Sequence, residues 1–426
     1  MYKKILLFFI LPSFLYPLSS DPKEIEKRIL EYRTKEVTLI IKDTKGQPVK
    51  EREVLIEQVS HAFLFGCNFF HWDSTFPANS EEEKVYRQRF VDVFNYATLP
   101  FYWGYYEPAE GKTREERLKR MSAWCKERGI LTKAHPLIWH EVVPNWANFS
   151  SNTTENMLEA RVKDIMNKFN GLIDFYDVIN ESIASPKFDN CVGKWIKKIG
   201  PVEAVREAIS WAREANPKAF LLVNDYDISD AYVNQIAVLK ELGFAPDAIG
   251  IQSHMHKGVW STTYLDGILS SFSRLNIPIH FTEMTILSGR LKTDDDWNSY
   301  HPGWNSTPEG EKKQAEDVVR IYSFLFSHPA VEAITWWDLS DYDAWQGAPA
   351  GLLRKDLSPK PAYEELKKLI KGKWWTGPIS LKTDIDGRIT FRGFMGKYKI
   401  SIDGKTIDLI LDKKSQKEIE LKIKRQ

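Results

Sequence analysis

Cysteine is nearly missing from this chain: 426 residues hold three, Cys67, Cys125 and Cys191. Three thiols close at most one bridge, so no disulfide framework supports the fold, and their spacing matches no metal motif. Charge of one sign is missing as well. Lys and Arg number 59 against 58 for Asp and Glu, a formal net charge of +1. That balance offers no basic field for nucleic acid and no polybasic patch for anionic lipid. No apolar run beyond the amino end approaches the ~20 residues that cross a bilayer. No glycine-rich phosphate loop follows the first predicted strand, which counts against a nucleotide-binding open sheet.

The amino end is the exception. Met1-Tyr2-Lys3-Lys4 leads into an apolar run from Ile5 to about Leu18, then Ser19-Ser20-Asp21-Pro22. A short positive head, an apolar stretch too short for a bilayer and a small-residue exit describe a secretory signal peptide over residues 1–20. The mature chain is therefore expected to be secreted, extracellular or periplasmic, with no membrane span.

What the chain has in excess is aromatic surface, with 15 Trp and 17 Tyr. Such rings either pack cores or offer flat faces to sugars, and position along the chain decides between the two. Residues 21–60 read as a short charged helix and a β-hairpin, Val37–Ile41 turning near Gly46 to Val54–Ile56. Residues 61–372 alternate between two periodicities. Short β-rich runs occur at Phe63–Phe69, Phe94–Leu99, Thr132–Ile138, Phe175–Ile179, Phe220–Val223, Ala248–Ile251, Ile279–Thr282 and Val331–Trp336. Between them apolar residues recur at helical spacing, as in Leu158, Val162, Ile165 and Phe169. Eight strands with intervening helices predict an α/β fold, a closed (β/α)8 TIM barrel. Residues 373–426 read as short antiparallel strands. They are too few for a core of their own, so they are expected to pack with the N-terminal hairpin into an accessory β-sandwich.

A barrel builds its site at the carboxyl ends of its strands. Tyr176-Asp177-Val178-Ile179-Asn180-Glu181 ends the fourth strand with a carboxylate, and Ile279-His280-Phe281-Thr282-Glu283 ends the seventh with another. Glycosidic cleavage needs two carboxyl groups, one to protonate the leaving oxygen and one to meet the charge at the anomeric carbon. His135, Trp139 and His140 close the third strand; Gln252, Ser253 and His254 close the sixth; Trp336 and Trp337 close the eighth, with Trp345 beyond. Trp336 alternates to the opposite face from Trp337 and is read as packing. His140 lies past its strand and is read as structural. Tyr102, Trp103 and Tyr105 either line the cleft or pack their loop.

From Phe63 to Ile370 the chain resembles the family 10 glycoside hydrolases, the retaining endo-β-1,4-xylanases. His-Pro-Leu-Ile-Trp-His at 135–140 is similar to the family's His-Thr-Leu-Val-Trp-His, and Asp177–Glu181 to its Asp-Val-Val-Asn-Glu. Gln252-Ser253-His254, Thr282-Glu283, the run from Trp337 through Asp341 to Trp345, and Lys360-Pro361-Ala362-Tyr363 match further motifs in order. The resemblance implies catalytic roles for Glu181, general acid and then base, and for Glu283, nucleophile. It implies that Asn180 bonds the sugar 2-hydroxyl and the nucleophile. His135, Trp139, Gln252 and His254 would shape the sugar site, with Trp337 and Trp345 covering it. It implies a polysaccharide substrate, xylan or a related β-glycan, no metal, no cofactor, and a monomer.

Two departures qualify it. The family carries Glu, Asn and Lys after the second strand, where this chain has Pro100, Phe101 and Gly104. That subsite is expected to lose hydrogen-bonding groups and gain aromatic surface, which alters glycan preference. Thr285 stands where the family has an aspartate supporting the histidine that matches His254, so the pH profile is expected to differ.

Overall fold

The computed structural model describes residues 18–72, 76–77, 79–150, 152–342 and 344–423. Of the leader read at 1–20, residues 1–17 lie outside the described residues.

A helix, Pro22–Arg33, opens the described chain, capped by Asp21, whose carboxylate accepts from Lys23 and Glu24 amides. Two long strands follow, β1 (Thr34–Asp43) and β2 (Glu53–His61). The barrel strands are then β3 (Leu64–Asn68), β4 (Tyr96–Pro100), β5 (Leu131–His135), β6 (Phe175–Asn180), β7 (Phe220–Asp225), β8 (Ala248–Ile251), β9 (Ile279–Met284) and β10 (Val331–Trp336). They pair in parallel and in sequence, and β10 closes on β3. Buried on both faces, they read as continuous apolar runs rather than as alternation. The helices between them bury the faces their periodicity marks: Leu158, Val162 and Ile165 on Thr154–Lys168, and Leu265, Ile268, Leu269 and Phe272 on Thr262–Ser273. Gly129, Gly171 and Gly243 lie just past helix ends with φ of +68°, +76° and +83°, backbone that a side chain would strain.

The last strands are β11 (Ile379–Lys382), β12 (Arg388–Phe394), β13 (Gly396–Ile402), β14 (Lys405–Leu411) and β15 (Glu418–Ile423). They form two sheets with the N-terminal strands, in the orders β12-β1-β15 and β11-β2-β13-β14. Val37, Leu39, Ile41, Val54, Ile56, Ile400 and Leu421 fill the space between them, a core separate from that of the barrel. The hairpin expected from Val37–Ile41 and Val54–Ile56 does not form. β1 and β2 enter opposite sheets and face each other, and the residues between them cross the sandwich edge. The reason is physical: each strand alternates, so each has one apolar face to bury. Each finds its neighbours among the C-terminal strands, and the two apolar faces meet across the sandwich. Arg33 joins this unit to the barrel, its guanidinium donating to the carbonyls of Phe326, His328 and Val331.

A cavity of about 380 Å³ lies between the sandwich and the amino ends of the barrel strands, lined by Phe63, Phe175, Phe220, Phe326 and His280. The carboxylates discussed next stand at the opposite end of the strands.

Candidate active site

Glu181 is the first residue beyond β6, and its φ of +54° turns the chain sharply out of the strand. A non-glycine residue in this left-handed region costs roughly 1–2 kcal/mol, so the surroundings must hold it. They do: its amide donates to the Asn224 carbonyl at 2.8 Å, and its carbonyl accepts from the Ser185 amide at 3.1 Å and the Ser185 hydroxyl at 2.9 Å. Glu283 lies within β9. Ser253, just past β8, has φ +63°, and the turn there brings His254 beside Thr285 and Glu283.

An amide network joins the two carboxyl groups. Gln252 Nε2 donates to Glu181 Oε1 at 2.8 Å and reaches Asn180 Oδ1 at 3.3 Å. Asn180 Nδ2 donates to Glu181 Oε1 at 3.2 Å. Asn224 Nδ2 then donates to Asn180 Oδ1 at 2.8 Å and to Glu283 Oε1 at 2.7 Å, while Asn224 Oδ1 accepts from Thr282 Oγ1 at 2.6 Å. Every polar atom of the buried Asn224 side chain thus has a partner, and such fully paired networks are rigid. Gly250 makes room for it: a Cβ there would lie 2.4 Å from Asn224 Oδ1.

Histidines and charges complete the surroundings. His135 Nδ1 lies 2.7 Å from the Asp177 carboxylate, which also meets Lys133 Nζ at 2.8 Å, and His135 Nε2 faces Glu283 Oε1 at 3.7 Å. His254 Nε2 is 3.1 Å from Glu283 Oε2, and its Nδ1 is 2.8 Å from Thr285 Oγ1. The threonine hydroxyl therefore occupies the position expected of an aspartate.

The two glutamates are driven apart. Burial pushes the Glu181 carboxyl up to about 8, with Asp225 and Glu283 adding to the shift against the hydrogen bonds it accepts. Burial acts on Glu283 in the same direction, but the His135 and His254 imidazoles and the Lys133 ammonium outweigh it and hold Glu283 below the ordinary carboxylate range. One carboxyl therefore keeps its proton at neutral pH while the other is ionised. That is the division of labour an acid and a nucleophile require.

The predicted residues converge. Glu181, Glu283, His135, Asn180, Gln252 and His254 form the polar floor. Trp337 covers it edge-on to His135 and His254, with ring centroids 5.5 and 5.8 Å away. Trp345 lies 4.7 Å from His254, and Trp139 stands 5.5 Å from Tyr102. Trp336 is fully buried and donates to the Ala350 carbonyl, away from the cleft.

Three expectations need correction. Asn180 contacts Glu181, and it is Asn224 that reaches Glu283; an amide one residue before the end of β7 obeys the same strand-end rule that singled out the glutamates. His140 is buried against the site, its Nε2 3.6 Å from Glu181 Oε2. Phe101 does not line a subsite: it is buried against Phe169 and Tyr106. Gly104 has no room for a side chain, since a Cβ would lie 2.7 Å from the Val142 carbonyl. Of this segment Tyr102 faces the cleft, at 5.5 Å from His135, while Trp103 is buried on Trp146. Trp297, stacked on Trp345 with centroids 6.0 Å apart, extends the aromatic wall from a loop the sequence reading passed over.

Asp341 and the Lys-Pro-Ala-Tyr segment meet in a buried ion pair, Lys360 Nζ to Asp341 at 2.7 Å, with Ser288 Oγ at 2.9 Å. This pair ties the segment after β10 to the loop after β9. Among the described residues no three His, Cys, Asp or Glu side chains converge to hold a metal ion.

The family model for glycosyl hydrolase family 10 matches residues 58–369. The chain belongs to glycosyl hydrolase family 10. Within the family it is 29% identical to endo-1,4-beta-xylanase B of Thermotoga neapolitana over 288 residues, 64% of this chain and 78% of that one. It is 26% identical to anti-sigma-I factor RsgI6 of Acetivibrio thermocellus and 24% identical to endo-1,4-beta-xylanase 1 of Arabidopsis thaliana. Each of these matches covers 89% of this chain, but only 46% and 38% of those relatives. Among solved structures, xylanase 10B from Thermotoga petrophila RKU-1 in complex with xylobiose superposes with a TM-score of 0.61 and 27% identity, covering 73% of this chain and 95% of that one. This family 10 member is a glycoside hydrolase with a closed eight-stranded barrel.

Proposed function

We propose that the protein is an exported, monomeric, retaining endo-β-1,4-xylanase. The observation that carries this reading is the pair of carboxyl groups, Glu181 and Glu283, brought together from the ends of two barrel strands and linked through Asn180, Asn224 and Gln252. In the first step Glu283 attacks the anomeric carbon as Glu181 gives its proton to the leaving oxygen. In the second, water deprotonated by Glu181 releases the sugar from Glu283. Asn224 and His254 stabilise the Glu283 carboxylate before attack. Trp139, Trp337 and Trp345 offer flat faces to the ring at the cleavage point. Xylan as substrate is supported by the xylanases among the relatives, and export by the leader at 1–20.

A second reading, cleavage of a decorated or different β-glycan, is favoured by one observation. Phe101 is buried and Gly104 bears no side chain, so neither hydrogen-bonds a sugar. Product release from linear xylan, arabinoxylan, β-glucan and mannan, with Glu181→Ala as control, tests both readings. Release from a xylan that the control lacks is expected. Release from glucan or mannan alone favours the second reading, and equal release by the control refutes both.

A further inference from the structure

We infer that the cavity between the sandwich and the amino ends of the barrel strands is a second binding site, one that takes a small neutral phenol. The ring packs among phenylalanines and the hydroxyl meets the His280 imidazole. This site lies at the opposite end of the barrel from Glu181 and Glu283 and does not depend on the roles given to them.

The walls come from the first residues of barrel strands. Phe175 and Phe220 open β6 and β7, and their ring centroids lie 4.8 Å apart. His280, second in β9, stacks on Phe220 at 5.9 Å and 14°. Phe63 and Phe326 meet edge to face at 4.9 Å, and the sandwich adds Met395 and the turn after β14. A dry cavity of about 150 Å³ holds one benzene. At about 380 Å³ this one has room for a ring with a short side chain. The charges at its rim are already answered. Glu332 pairs with Lys413 at 3.0 Å, and Asp412 accepts from the Lys414 amide at 2.8 Å and the Ser415 hydroxyl at 3.0 Å. Arg33 donates to three carbonyls, and Lys414 is exposed to solvent. Little is left there to draw an ion.

What stays unanswered is an imidazole. His280 is 1% exposed and its Nδ1 has no hydrogen-bond partner among the described residues, a state that costs free energy until a partner arrives. His61 Nε2 lacks a partner too. The rings of Phe65, Phe326, Trp375 and Phe394 enclose that imidazole edge-on at 5.3–6.3 Å, which leaves His280 as the one on the phenylalanine floor. Burial holds the His280 pKa down to about 4, so the ring is neutral, with one N–H and one lone pair. A hydroxyl both donates and accepts and so answers either nitrogen, whereas a carboxylate only accepts and an ammonium only donates. A sugar would bring several hydroxyls to walls that pair with few of them, and each one left over is penalised. A phenol brings one, on a ring suited to the edge and face contacts that phenylalanine walls favour.

The experiment titrates the full chain with 4-ethylphenol, ethylbenzene and D-xylose, binding being followed by ligand-observed NMR. It is repeated with His280→Phe, which keeps a ring against Phe220 and removes both nitrogens. In the parent, 4-ethylphenol is expected to saturate and to bind about tenfold more tightly than ethylbenzene, with no saturable binding of D-xylose. In His280→Phe the two aromatic ligands should bind alike. Equal affinity of the parent for the two aromatic ligands overturns the inference, and that comparison needs no variant to fold. A preference for the phenol that persists in His280→Phe overturns it as well, because the hydroxyl would then be met elsewhere. Tighter binding of D-xylose than of 4-ethylphenol would do the same, by making the cavity a sugar site.

Discussion

Replacing Glu181 by Gln should make the protein more stable, by an amount that depends on pH. The Glu181 carboxyl has its ordinary value of 4.5 in the unfolded chain, and burial pushes it up to about 8 in the folded one. Between those values the unfolded chain has released the proton and the folded chain still binds it, so stability falls as pH rises through the window. At pH 7 the difference spans about 2.5 pH units, which at about 1.4 kcal/mol per unit amounts to roughly 3 kcal/mol. At pH 4.5 it is close to zero. Gln resembles the protonated acid: its oxygen accepts from Gln252 and Asn180, and its NH₂ faces His140 Nε2. Urea unfolding of parent and variant at pH 4.5 and pH 7 measures the effect. A gain of about 3 kcal/mol at pH 7 that vanishes at pH 4.5 is expected. An equal difference at both pH values would refute the reasoning, because the protonation of Glu181 would then cost the fold nothing.

Asn224→Ala removes the 2.7 Å donor to Glu283. A hydrogen bond to a charged group is worth about 1.5–3 kcal/mol, so the acidic limb of kcat/KM should rise by about one to two pH units; a limb that stays put contradicts the role given to Asn224. Lys360→Met leaves Asp341 buried without its 2.7 Å partner and should cost about 3–5 kcal/mol in denaturant unfolding; a loss below about 1 kcal/mol would show that the hydrogen bonds Asp341 accepts from the Ser306 hydroxyl at 3.0 Å and the Gly351 amide at 2.8 Å suffice.

The barrel strands were legible because parallel strands buried on both faces appear as short apolar runs between helix stops. The accessory sandwich was legible in content and not in pairing. Alternation in β1 and β2 says that one face is buried, and it is the same whether two strands lie side by side or face to face. The glutamates stood out because a carboxylate at the end of an apolar strand has few structural excuses. Asn224 lies one residue before the end of β7, and an amide carries no charge to draw attention. His140 escaped because its strand ends at His135, and only the bends at 137 and 138 fold it back onto Glu181. Phe101 was misplaced because a departure from a family pattern shows which side chain is missing, and not where the new one points.

In the proposed mechanism Glu283 forms the covalent bond while Glu181 moves the proton. Incubation with a 2,4-dinitrophenyl 2-deoxy-2-fluoro-β-xyloside, followed by mass spectrometry of the digested protein, reads this directly. A fluoroglycosyl adduct on the peptide carrying Glu283, absent in Glu283→Gln, is the result predicted. An adduct on Glu181, or no adduct together with products of inverted anomeric configuration, would contradict it.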